Sequence, residues 1–124
     1  MGLKELDEMI DVAIARVSEG PDGARIAVSE LARGWPHATG LQIVFAVVSA
    51  AHAIERVFSG DDNAPNSETT EALRMASLLS VDLFAMQKRG NFSPTGADLM
   101  AYWQTTDPFF IAPPLAMPRQ QLAG

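Results

Sequence analysis

Apolar residues recur along the first stretch at Leu3, Leu6, Ile10, Ala13 and Val17, spaced by three and four, with Glu5, Asp7, Glu8 and Asp11 among them. That period predicts an amphipathic helix, and acids in its early turns suit the positive end of the helix dipole. Gly20-Pro21 stops it. Asp22 is placed to cap a second, shorter helix in which Ala24, Ala27, Val28 and Leu31 share one face while Arg25, Ser29 and Arg33 are expected to point away. Gly34 followed by Trp35-Pro36 is the next stop.

A third helix opens at Thr39 and Gln42, whose spacing allows a capping box, and should run to about Phe58. At 100° per residue, Gln42, Ser49, His52 and Arg56 fall on one narrow polar stripe, and Leu41, Ile43, Val44, Phe45, Val47, Val48 and Ile54 occupy the remaining circumference. A helix apolar nearly all round is expected to be surrounded, with Ala46, Ala50, Ala51 and Ala53 allowing neighbours close to its axis. The segment 61–66 (DDNAPN) reads as a loop. A fourth helix follows from Ser67 to Arg89, acidic at its start (Glu68, Glu71), basic at its end (Lys88, Arg89) and stopped by Gly90.

Ser93-Pro94 or Thr95, with Asp98 three beyond the latter, starts a short fifth helix that buries Leu99, Met100 and Trp103 and stops before Asp107-Pro108. Three prolines between Phe109 and Pro118 forbid regular helix there, which predicts an extended arm. The pattern as a whole gives an all-α fold: a compact bundle of four main helices plus one short helix over 1–107, and a Pro-rich C-terminal arm over 108–124, forming one domain.

Composition narrows the function. Fifteen acidic against nine basic residues give a net charge of -6, which argues against phosphate-driven nucleic-acid binding and against an anionic membrane surface. The chain has no cysteine, so disulfides, thiolate catalysis and thiolate-bound zinc drop out. The acidic start, MGLKELDEM, does not resemble a signal peptide, and the most apolar stretch, Ile43 to Ile54, is too short and too polar at Ser49 and His52 to read as a membrane span. These features predict a cytoplasmic protein.

The candidate chemistry is sparse. His52 and Glu55 stand three apart, a spacing at which one helix face offers two metal ligands, but a carboxylate-bridged di-metal bundle needs a second such motif and two further acids. The fourth helix offers only Asp82, on the side of Met75, Leu78 and Met86, where a carboxylate is either paired or raised in pKa. Arg56 or the Trp35 indole could satisfy it. Ser49, His52 and Asp82 contain the residue types of a hydrolytic triad, without a nucleophile turn or an oxyanion loop. Tyr102 and Trp103 beside Phe109-Phe110 could line a pocket for a flat ligand, although burial is the commoner use of such a cluster.

No pattern calls for a cofactor. The expected function is therefore that of a non-catalytic interaction or assembly module, acting as a homodimer. Its interface, with a second copy or with another protein, would combine the apolar surface of the third or fourth helix with Phe109, Phe110, Ile111, Leu115 and Met117 of the arm, which must lie in a groove either on its own bundle or on the neighbouring subunit. The alternative is a small-ligand protein or minor enzyme built on the polar cluster of Gln42, Ser49, His52, Glu55, Arg56 and Asp82.

Overall fold

A computed structural model describes residues 2–58 and 67–112. Five helices follow one another, α1 (Leu3–Val17), α2 (Gly23–Gly34), α3 (Gly40–Phe58), α4 (Ser67–Lys88) and α5 (Gly96–Thr105), and a 3-10 turn follows at Phe109–Ile111. The fold is the all-α bundle that the periodicity predicts, with no strand among the described residues.

The local signals act where they fall. Thr39 and Gln42 close a capping box, Gln42 Oε1 accepting from the Thr39 N–H at 2.8 Å and Thr39 Oγ1 from the Gln42 N–H at 3.1 Å. Thr95 and Asp98 repeat it at the start of α5, at 3.0 and 3.2 Å. The two boxes lie side by side: the Gly40 N–H donates to Pro94 O at 2.7 Å and the Gly96 N–H to Ala38 O at 2.8 Å. The loops before α3 and α5 are thereby joined, which fixes both helix starts relative to each other. Beyond α4, Gly90 takes φ +101°, a left-handed conformation that glycine adopts at little cost.

α3 is central, packing against α1, α2 and α4 with a smaller contact to α5. Its inward face is Ile43, Ala46, Val47, Ala50, Ala51 and Ile54, and the alanines among them admit the neighbouring helices closely. Leu31 of α2, Leu79 of α4, and Leu99 and Trp103 of α5 fill the core from the other sides. At the start of α5 a Cβ on Gly96 would stand 2.6 Å from Ala32 O and 2.7 Å from Trp35 O, so the helix reaches the end of α2 only because that residue has no side chain.

Four expectations need correction. Asp22 makes no side-chain cap; it binds the Arg25 guanidinium through both oxygens, at 2.9 and 2.7 Å. Arg25 and Ser29 do not point away but are buried, because the 3-10 turn and α5 pack on the face of α2 that carries the arginine, and the Ser29 hydroxyl donates to Ile26 O at 3.1 Å. In α1 the innermost residues are Met9, Ala13 and Val17, while Leu3 is exposed. α3 is not surrounded: Leu41, Phe45 and Val48 are exposed, since among the described residues α1, α2, α4 and α5 pack mainly on the side of Ile43, Val47 and Ala50. By length and composition Gly40–Val57 could cross a membrane, with mean hydropathy 1.3, and 39% of it is buried against the rest of the bundle.

The arm is not extended where it begins. Phe109–Ile111 turn back onto α2 and α5, and Phe110 is buried within its own chain. Leu115 and Met117 lie outside the described residues.

Candidate functional site

The polar residues of α3 do not gather. Gln42 is occupied by its capping box, Ser49 is half-buried at the edge of the core, and His52, Glu55 and Arg56 are exposed. Asp82 lies on a different part of the molecule. It is buried and accepts from Trp103 Nε1 at 2.9 Å. The sequence pointed to Trp35 or Arg56 as its partner; an indole does satisfy it, but one delivered by α5. Burial pushes the Asp82 carboxyl above its ordinary range, the indole hydrogen bond opposes the shift, and Asp107 nearby adds to it. Ser49 and His52 on α3 therefore have no carboxylate relay through Asp82, and a triad does not assemble. Among the described residues no three His, Cys, Asp or Glu side chains gather where they could share a metal ion.

The aromatic cluster is packing. Trp103 is buried, its ring meets Phe110 at a centroid distance of 5.1 Å, and Phe109 meets Phe110 edge-on at the same distance. Arg25 secures this corner: Nη1 donates to Phe109 O at 2.9 Å and to Ala112 O at 2.7 Å, while Asp22 holds the other side of the guanidinium. Of the residues expected at an interface, Phe109 and Ile111 are partly buried and Phe110 wholly so against their own bundle.

Among the described residues an open apolar surface lies elsewhere. α3 and α4 pack antiparallel, and between the start of α3 and the end of α4 runs a groove of about 450 Å³ lined by Leu41, Val44, Leu83, Phe84, Phe92 and Pro94, with Thr39, Ser80, Gln87 and Ser93 completing its wall. Phe45 and Val48 continue the same face one and two turns along α3. The sequence pointed to the apolar surface of the third or fourth helix but singled out none of these groove residues, because it expected α3 to be surrounded outside its polar stripe. The signal was present in Leu41, Phe45 and Val48, spaced four and three apart opposite Ile43, Val47 and Ala50: one helix with two apolar faces. Phe92, between the Gly90-Asn91 stop and Ser93-Pro94, was a second signal, a large aromatic in a turn.

The groove offers shape and apolar contact, with the hydroxyls of Thr39, Ser80 and Ser93 and the Gln87 amide on its wall but no ionisable lining residue. No family model, no curated protein and no solved structure matches this chain.

Proposed function

We propose that the protein is a non-catalytic helical assembly module that works as a homodimer in the cytoplasm, associating through the outer face of α3 and α4. One observation carries the reading: Leu41 of α3, Phe84 of α4 and Phe92 are exposed large apolar residues bordering one groove, and Phe45 and Val48, also exposed, stand one and two helical turns beyond Leu41 on α3. Contiguous apolar surface of that kind on a soluble chain marks an interaction site. The polar cluster on α3, which would have supported a ligand or enzyme reading, is dispersed.

Light scattering after size exclusion tests the proposal, with an expected mass of about twice 13.3 kDa at micromolar concentration. A monomer at that concentration would overturn it. Loss of the dimer on deletion of residues 113–124 would move the interface from the helices to the arm.

A further inference from the structure

On the reading that the chain self-associates, we propose that Phe92 is the anchor of a two-fold interface, the Phe92 ring of each copy seating in the α3–α4 groove of the other. The face carries both halves of such a contact. Phe92 is 76% exposed, so its ring stands off its own bundle, and beside it lies an apolar cavity of about 450 Å³ that can receive a ring. Because Phe92 itself borders that cavity, a two-fold axis near it brings knob and hole together twice with a single patch, which is the requirement of an isologous interface.

The loop that presents Phe92 is held on both sides. The Asn91 N–H donates to Met86 O at 3.0 Å, Asn91 Nδ2 to Asp98 Oδ2 at 3.1 Å, and the Ser93 N–H to Asn91 Oδ1 at 3.3 Å, while Pro94 O accepts from Gly40. With the backbone held, only the two side-chain torsions of Phe92 are left to order on binding, and aromatics are the usual hot spots of interfaces.

Area points to a second copy as the occupant, and charge does not oppose it. The chain carries a net charge of -6, yet no ionisable side chain lines the groove, so two copies meet there without setting acid against acid. A basic partner would gain nothing from such a lining. Phe45, Phe84 and Phe92 at 50, 65 and 76% exposure, with Leu41 and Val48, offer roughly 500 Å² of apolar area if a phenylalanine presents about 150–250 Å². A standard interface takes about 800 Å² from each partner, of which about 60% is apolar. The two figures agree.

The test compares the full chain with Phe92→Asp, Leu41→Lys and, as a control on an exposed leucine of α1, Leu3→Asp. All three substituted positions lie outside the core, so circular dichroism should show the same helix content in each variant. Phe92→Asp and Leu41→Lys should each weaken dimerisation by at least about thirtyfold, the loss typical of a hot spot, and Leu3→Asp should leave it unchanged. An equimolar mixture of the Phe92→Asp and Leu41→Lys chains should recover a heterodimer, because the new acid of one enters the groove that holds the new base of the other. A wild-type dimer that survives Phe92→Asp, or a mixture that stays monomeric, overturns the anchor and leaves self-association standing. A wild-type monomer overturns the underlying reading, and one that also co-sediments with phosphatidylcholine vesicles reassigns the face to a lipid surface.

Discussion

Asp82 and Trp103 form the most consequential side-chain pair in the core. An acid whose folded pKa is raised binds its proton more tightly in the folded than in the unfolded chain, so its contribution to stability is most favourable at low pH and falls as pH rises from the ordinary carboxylate range through the raised value. Asp82→Asn keeps an oxygen for the indole and removes that slope. Urea midpoints of the variant and the wild type should therefore draw together as pH is lowered from 7 towards the ordinary range, the variant being at least as stable at pH 7; a difference independent of pH would refute the assignment. Asp82→Leu should instead cost about 1–3 kcal/mol, because a buried indole N–H loses its acceptor. Arg25 is the second pair's centre. Arg25→Ala leaves Phe109 O and Ala112 O without their donor and should lower stability by about 2–3 kcal/mol, with faster hydrogen exchange at the Ile111 amide. Arg25→Lys should not restore it, since an ammonium cannot bind Asp22 through two parallel bonds and two carbonyls as well.

At the scale of helices, the close approaches are set by glycine. A Cβ at Gly96 would meet the backbone carbonyls of Ala32 and Trp35, and one at Gly23 would overlap the carbonyl of Arg16. Backbone cannot step aside without moving a helix. A Cβ at Gly40 would meet only the end of the Leu83 side chain, which can rotate. Thermal denaturation should rank the alanine variants accordingly, Gly23→Ala and Gly96→Ala losing about 1–3 kcal/mol or more and Gly40→Ala less than either. Equal losses at all three positions would show that α3 is held as rigidly against α4 as α5 is against α2. The paired capping boxes of α3 and α5 make this joint stiff, which also steadies the neighbouring loop that carries Phe92.

For the whole molecule, the proposed dimer sets two acidic chains together through an uncharged face. Their repulsion acts at long range and is screened as the Debye length falls from about 30 Å at 0.01 M salt to about 8 Å at 0.15 M. Sedimentation equilibrium at pH 7 should therefore give a dissociation constant that tightens with added salt. Weakening with salt would mean that ion pairs hold the interface, contrary to the lining of the groove.

The helices, their ends and much of the core were legible in the residues alone. Thr39 and Gln42, Thr95 and Asp98, and Gly90 act through hydrogen bonds and backbone preferences within a few residues, so the chain carries that information locally. The side of α4 that is buried with Asp82 was equally clear, from the residues that share its face. What only the tertiary structure decided is which apolar face each helix uses. α3 has apolar residues on both sides, and periodicity assigns no preference between Ile43, Val47 and Ala50 and Leu41, Phe45 and Val48; the choice follows from where α1, α2, α4 and α5 dock. The partners of Asp82 and Arg25 were hidden for the same reason. Trp103 is 21 positions from Asp82, and Phe109 is 84 from Arg25, distances at which no local spacing speaks and only packing brings donor to acceptor.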